Sequence, residues 1–353
     1  MSDTPPFEVP ASAEVVGVRI LDTNTRIVAP LDMVDRTIKG NESLDCPTYP
    51  FLIEHKSGRK ILFDLGVRKD LENMAPVVRD YFSKSDTTAT IEKGVRELLE
   101  EHNVSGKDVE AIVWSHWYWD HVGDPSTFET STSLIVGPGF KEVFVPGYPT
   151  NLGSPMLDSD YADREVKELD FSAEKAIKIG HFDALDYFGD GSFYLLNAPG
   201  HTVGHMCGLA RVTASPPSFI LMGADTCHHS GEMRPSKWLQ LPSEIDVKGS
   251  SCPGAAFEHI YRNGDPKIPF YGQKRPGMMF GDADVADQTI EKLQEVDVSG
   301  NVLVVIAHDN HLKGVVKFFP EYANDFLAEG WIEKTRWKFL GDFKEALVQK
   351  ITL

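Results

Sequence analysis

Cysteine is scarce in this chain: four occur in 353 residues, Cys46, Cys207, Cys227 and Cys252, and no two form a CxxC pair. That spacing argues against a thiolate zinc site or a disulfide scaffold and fits reduced thiols in an intracellular protein. Positive charge is also in short supply, with 35 Lys plus Arg against 53 Asp plus Glu and a formal net charge of −18. Without a basic stripe nothing neutralises a phosphate backbone, so no nucleic-acid partner is expected. Long apolar runs are missing as well. No window approaches the roughly 20 apolar residues that span a bilayer, and the opening MSDTPPFEVPASAEV has neither the basic nor the apolar region of a signal peptide. The closing KITL matches no retention, peroxisomal or prenylation signal. A soluble, cytoplasmic protein with no membrane partner is therefore expected, and neither an internal repeat nor a low-complexity tract stands against that.

What is present is ordinary core material, 41% hydrophobic, in a recognisable order. VVGVRIL at 15–21 reads as a strand, and YPFLIEHKSGRKILFDLG at 49–66 as a hairpin turning at Ser57-Gly58. From Thr90 the period changes: Ile91, Val95, Leu98, Leu99 and His102 fall on one face of a helix. Four short apolar runs follow: AIVW at 111–114, FYLL at 193–196, FILM at 219–222 and VLVVIA at 302–307. Each leads into a His or an Asp: Ser115-His116, then NAPGH ending in His201, then Gly223-Ala224-Asp225, then His308-Asp309. If the runs are strands, these groups sit at or just beyond strand ends, where a rigid sheet holds them while loops form a cleft.

The densest stretch is WSHWYWDHVGD at 114–124, which puts His116, Asp120 and His121 on one tight loop. Imidazole and carboxylate suit zinc and other borderline divalent ions, and a catalytic site keeps one coordination position for water. With His201, Asp225 and His308 the set resembles the metallo-β-lactamase superfamily, whose pattern is HxHxDH, a His after a Gly, a bridging Asp and a C-terminal His. The flank PGHTVGH is similar to the lactonase-like branch, which holds N-acyl-homoserine lactone lactonases, glyoxalase II and fungal hydrolases that open lactone or lactam rings. The resemblance implies an α/β fold, an αββα four-layer sandwich of two mixed β-sheets flanked by helices. It implies a first metal site of His116, position 118 and His201, a second of Asp120, His121 and His308, and Asp225 as the bridge. Zinc is the expected cofactor, as two ions, with a single ion, iron or manganese as alternatives.

Position 118 departs from the pattern, because Tyr118 stands where a His is expected. Three readings are open: the first site is lost, the phenolate ligates, or Tyr118 turns away while water completes the shell. Among the neighbours, His205 and Cys207 read as supporting or packing residues, His228 and His229 as solvent-facing or close to substrate, and His311 as structural. Trp114 is expected in the core, while Trp117 and Trp119 are candidates for the pocket.

A divalent ion lowers the pKa of bound water to about 7, and the hydroxide so formed attacks a carbonyl whose developing oxyanion the metals stabilise. Asp120 is the candidate proton relay and Tyr118 the second candidate catalytic residue. The expected activity is metal-dependent, detoxifying hydrolysis of a small, apolar cyclic ester or amide. The alternatives are thioester hydrolysis of the glyoxalase II type, or a non-catalytic binding protein on a degraded hydrolase fold. A single domain over 1–353 is expected, interrupted by a 227–282 segment rich in Pro, Gly and Ser that carries Trp238, Phe257, Tyr261, Phe270, Tyr271, Met278, Met279 and Phe280. So long a connection is either a substrate lid walling the pocket or an insertion with a small core of its own.

Overall fold

The computed structural model describes residues 7–172, 174–247, 249–275 and 281–347. The apolar runs become strands because β-branched and aromatic side chains fit a pleated, buried surface. In Val16–Ile20 the burial alternates, with Val16, Val18 and Ile20 inside. Phe51–His55 and Lys60–Phe63 form the antiparallel hairpin expected around Ser57-Gly58. The helix anticipated after Thr90 spans Val95–Glu101 and buries Val95, Leu98 and Leu99. It starts later than Ile91 because Glu97 accepts the Gly94 N–H at 2.9 Å and so closes the first turn there.

Two six-stranded sheets form the centre. The first runs Val16–Ile20, Phe51–His55, Lys60–Phe63, Val109–Val113, Ser133–Val136 and Val166–Glu168, antiparallel over its first two pairings and parallel over the rest. The second runs Ile177–Ile179, Phe182–Asp186, Phe193–Asn197, Met206–Ala214, Pro217–Ala224 and Val302–Ile306, with only the last pairing parallel. Both sheets are mixed.

Three apolar cores turn these sheets into four layers. Between the sheets, Val18, Phe51, Ile53 and Val113 meet Phe193, Leu195, Met206 and Ile220. Outside the first sheet, Leu98 and Leu99 of the short helix pack with Leu52, Ile112 and Trp114. Outside the second, Ile290, Leu293 and Val296 of helix Ala283–Asp297 cover Leu209, Leu221 and Val304. Their spacing of three residues keeps them on one face. Among the described residues no helix is long and apolar enough to cross a membrane.

Two additions flank this sandwich. A small antiparallel sheet sets Arg26–Pro30 between Ser43–Cys46 and Thr88–Thr90, and helix Pro76–Lys84 lies beside it. The 227–282 segment makes a separate core instead, in which Phe257, Phe270 and Tyr271 pack with Phe339, Leu340 and Phe343 from the C-terminal region. Met278, Met279 and Phe280 lie outside the described residues.

One buried ion pair ties the insertion to the sandwich. Arg234 donates to both carboxylate oxygens of Asp297, at 2.8 and 2.6 Å, and to the Arg336 carbonyl at 2.8 Å. Removing one partner of a buried pair strands the other charge, which costs about 3–5 kcal/mol. Asp297→Ala is therefore expected to lower the urea midpoint sharply, whereas Asp80→Ala, which breaks the exposed Lys84 pair, leaves it unchanged. Equal midpoints for the two variants would show that the pair is not a structural tie.

Candidate metal centre

The site lies where both sheets present strand ends. Lys60–Phe63 and Val109–Val113 are parallel, so Asp64 and the Ser115-His116 pair emerge at one edge. Pro217–Ala224 and Val302–Ile306 are parallel too, which delivers Asp225 beside His308. The Met206 N–H donates to the Ser115 carbonyl at 2.8 Å and joins the sheets at this edge. The backbone is strained here: Asp64 has φ +60° and Ala224 φ +43°, left-handed values that L-residues adopt at a cost on the order of 1 kcal/mol or more.

The buried Asp225 carboxylate is the hub. Its Oδ1 lies 3.0 Å from His121 Nε2 and 3.2 Å from His308 Nε2. Its Oδ2 lies 3.4, 3.6 and 3.7 Å from the Nε2 atoms of His228, His201 and His116. Asp120 Oδ2 completes one side, 3.5 Å from His308 Nε2 and 3.8 Å from His121 Nε2. Ligand atoms of Asp120, His121, Asp225 and His308 all fall within 4.8 Å of one another, as do those of His116, His201 and Asp225.

The hydrogen bonds behind the rings show what faces inward. Asp64 Oδ2 sits 2.8 Å from His121 Nδ1, and the Pro47 carbonyl 2.8 Å from His308 Nδ1. An oxygen acceptor there takes the ring proton, which leaves the Nε2 lone pair aimed at a carboxylate. His121 Nε2 and Asp225 Oδ1 accordingly face each other without a hydrogen-bond partner. Two facing lone-pair atoms call for a cation between them. Ligands about 2.1 Å from a tetrahedral zinc stand about 3.4 Å apart, so the observed separations fit an ion. His205 contrasts with these rings, because its Nδ1 faces the Ala198 carbonyl at 2.7 Å while its Nε2 accepts the Asp225 N–H at 3.2 Å. It supports the hub and has no atom left for a metal.

The electrostatics likewise demand positive charge among these groups. Burial opposes charge on His121, yet Asp225, Asp120 and Asp64 outweigh it and push its pKa up to about 10. Asp225 is held well below the carboxylate range, since His121 and His308 overcome its burial. His116 and His201 go the other way, driven down chiefly by burial.

The six residues expected as ligands, His116, Asp120, His121, His201, Asp225 and His308, all meet here. Tyr118 stands beside them, its ring centroid 4.9 Å from that of His116 and 4.8 Å from that of His201. Burial and then Asp225 push its phenol up to about 12. Trp114 is in the core, and His311 is held between Asp309 and Asp342 at 3.1 and 3.0 Å. Neither His228 nor His229 faces solvent: His228 is buried against Asp225 at the cavity, on the substrate side of the two readings, whereas His229 is buried against Asp342 and needs correction on both. A local reading had no means of showing that the chain folds back after Asp225. Asp64 also escaped notice as a positioning residue, although its place directly after an apolar run is the signal that marked Asp225.

A cavity of about 420 Å³ opens above the centre, a size that suits a small ligand. Asp120, Asp225, His228 and His308 form its floor, and Trp117, Tyr118 and Trp119 one side. The other walls are Ile27, Met33, Leu44 and Cys46 from the small sheet and its connection, with Met74, Val78 and Tyr81 from the helical region. The aromatic wall expected from 238–280 is not there. Among the described residues of the 227–282 segment only His228 lines the cavity, because Phe257, Phe270 and Tyr271 are spent on the satellite core and Trp238 does not reach it.

Residues 44–211 match the family described as the metallo-beta-lactamase superfamily. The chain is 43% identical over 351 residues to gamma-lactamase FDB1 of Fusarium pseudograminearum (strain CS3096), covering 96% of this chain and 85% of that one. It is 44% identical over 353 residues to metallo-hydrolase mfmC of Annulohypoxylon moriforme, covering 97% and 91% respectively. Among solved structures, a B. thuringiensis AiiA variant with N-decanoyl-L-homoserine bound at its active site superposes with a TM-score of 0.58 at 18% identity, covering 88% of this chain and 99% of that one. That last likeness concerns the fold alone. With near full-length similarity to these relatives and strand-end His and Asp groups in the family's order, the chain belongs to the metallo-β-lactamase superfamily and is a hydrolase.

Proposed function

We propose that this hydrolase opens a small, apolar lactone or lactam ring at the Asp225 centre. The observation that carries the reading is the pairing of two buried His/Asp donor sets across one carboxylate with an apolar cavity directly above them. The 43% identity to a protein named gamma-lactamase supports the lactam side. His116, His201 and Asp225 would hold one ion, and Asp120, His121, Asp225 and His308 the other, with zinc the first to test. Two such ions supply Lewis acidity and make water acidic enough to furnish a nucleophile near neutral pH.

The chain's own residues do the rest. The apolar walls admit a ring of modest size and exclude water, while the strand ends hold the donor set rigidly. Tyr118 lines the cavity beside His116 and His201, where its phenol can hold a substrate oxygen. Asp120 faces both the cavity and the donor set, so it is placed to carry a proton to the leaving atom. An amine leaving from a lactam needs that proton more than an alkoxide leaving from a lactone. Thioester hydrolysis of the glyoxalase II type fits less well. Among the described lining residues the one cation is Arg68, and Asp70 already binds its guanidinium at 2.7 and 3.0 Å, which leaves little to grip an anionic thiol carrier. A purely binding role does not account for so full a set of inward-facing donors.

His308→Ala is expected to keep the fold, lose metal and lose nearly all ring-opening activity; metal analysis beside assays on lactone and lactam panels checks this. Full activity in that variant would sink the assignment. Asp64→Ala removes the oxygen behind His121 and is expected to weaken metal binding about 10–100-fold, read by competition with a chelator. Val78→Trp is expected to fill the cavity and lower kcat/KM about tenfold or more at unchanged metal content. Tyr271→Phe, in the satellite core, should leave kcat/KM alone, and the reverse pattern would move the pocket to the 227–282 segment.

A further inference from the structure

The cavity wall is apolar over most of its extent, which makes the exceptions informative. Outside the groups around Asp225, the charged side chains among its described lining residues are Arg68 and Asp160. Arg68 has structural work, since Asp70 holds its guanidinium at 2.7 and 3.0 Å and Asp124 lies 3.5 Å away. The Tyr81 hydroxyl and Thr87 Oγ1, also in the wall, are paired with each other at 3.0 Å. Asp160 is different, because only one of its two carboxylate oxygens is accounted for.

Asp160 comes from the short helix Asp158–Tyr161 and belongs to neither donor set; its segment also places Pro155 and Leu157 in the wall. The residue is 3% exposed. Its Oδ2 accepts the Leu157 N–H at 2.9 Å and so caps that turn. Its Oδ1 is buried with no hydrogen-bond partner among the described residues. Neither of the guanidinium groups whose charge reaches it supplies one: Arg68 is taken up by Asp70, and Arg164 donates to the carbonyls of Thr132, Pro125 and Phe128. Burial pushes the carboxyl up to about 7, against the Leu157 hydrogen bond and the charge of Arg68.

A buried acceptor left unpaired is costly, and folded chains pair nearly all of them. The cap explains one oxygen and leaves the other without a purpose inside the protein. The terminal torsion of an Asp side chain is broad, so a small rotation presents Oδ1 to a donor entering the cavity. Such a donor also relieves the buried charge, because a hydrogen bond to a carboxylate favours its ionised form.

We propose that Asp160 is a specificity-determining residue of this cavity, the acceptor for an O–H or N–H that the substrate carries outside the bond being cleaved. The inference rests on the ring-opening reading above and narrows it: the substrate is an apolar lactone or lactam bearing a hydroxyl or N–H substituent, not a plain ring. The carbonyl is held at the Asp225 centre and the substituent at Asp160, so two points fix the ring. A site built to accept from a substrate hydroxyl discriminates strongly against the analogue without it, since the buried acceptor then stays unpaired.

Matched triplets of lactones and lactams test this, each ring bearing a hydroxyl, a methoxy group or hydrogen at one position, with the position moved round the ring from one triplet to the next. Wild type is expected to favour the hydroxyl member of at least one triplet over both others by about tenfold or more in kcat/KM, through KM rather than kcat. Asp160→Ala should lose that preference. Asp160→Asn keeps the volume and an oxygen for the Leu157 N–H but offers the cavity a donor, so it should favour the methoxy member. Metal content equal to wild type in both variants separates a lost preference from a lost centre. Rings opened by wild type with no hydroxyl preference, or by both variants with the wild-type preference, would overturn the proposal and leave the ring-opening reading standing. A wild type that opens no ring of the panel would overturn that reading and the proposal with it.

Discussion

A carboxylate buried at the meeting point of two sheets has to be compensated, and Asp225 is compensated by imidazoles on every side. Nitrogen atoms of His121 and His308 approach one oxygen at 3.0 and 3.2 Å, and those of His308, His228, His201 and His116 approach the other at 3.3 to 3.7 Å. With the outer nitrogens of His121 and His308 facing oxygen acceptors, the inner ones bring lone pairs towards a negative charge. Such an arrangement is stable only with positive charge among the donors, and it accounts for much of the surrounding architecture. The left-handed backbone at Asp64 and Ala224 is the strain accepted to aim the two carboxylates.

The rest of the sandwich keeps these groups still. Strand ends are rigid because the strands behind them are buried on both faces, as Lys60–Phe63, Val109–Val113 and Val302–Ile306 are. The short helix Trp119–Val122 carries the donors Asp120 and His121, while Val95–Glu101 and Ala283–Asp297 close the outer cores. The small sheet around Arg26–Pro30 and helix Pro76–Lys84 stand over the centre and wall much of the cavity. Most of the cavity wall therefore comes from other parts of the chain than the donors, with Trp117, Tyr118 and Trp119 of the donor loop as the exception.

The 227–282 segment shows why composition misleads. Aromatic residues in a long connection fit a pocket wall and a private core equally well, and only their partners decide between them. Here the partners are Phe339, Leu340 and Phe343, more than sixty positions downstream of Phe270, and the buried Arg234–Asp297 pair fastens the same segment to the sandwich. No period or motif within the segment reports a contact of that range.

By itself the sequence determined the strands, the mixed α/β character and six residues that gather around Asp225. A strand of four to five apolar residues has a local signature, and a His or Asp placed directly after it inherits a defined position at the sheet edge. Tertiary structure alone decided which residues gather beyond those six. Asp64 acts through the His121 ring, His228 arrives by a turn, and most of the cavity is walled by elements that share no pattern with the donors. The physical reason is that orientation and enclosure depend on distances between segments far apart in the chain, which burial and hydrogen bonding set only once both sheets have closed on one another.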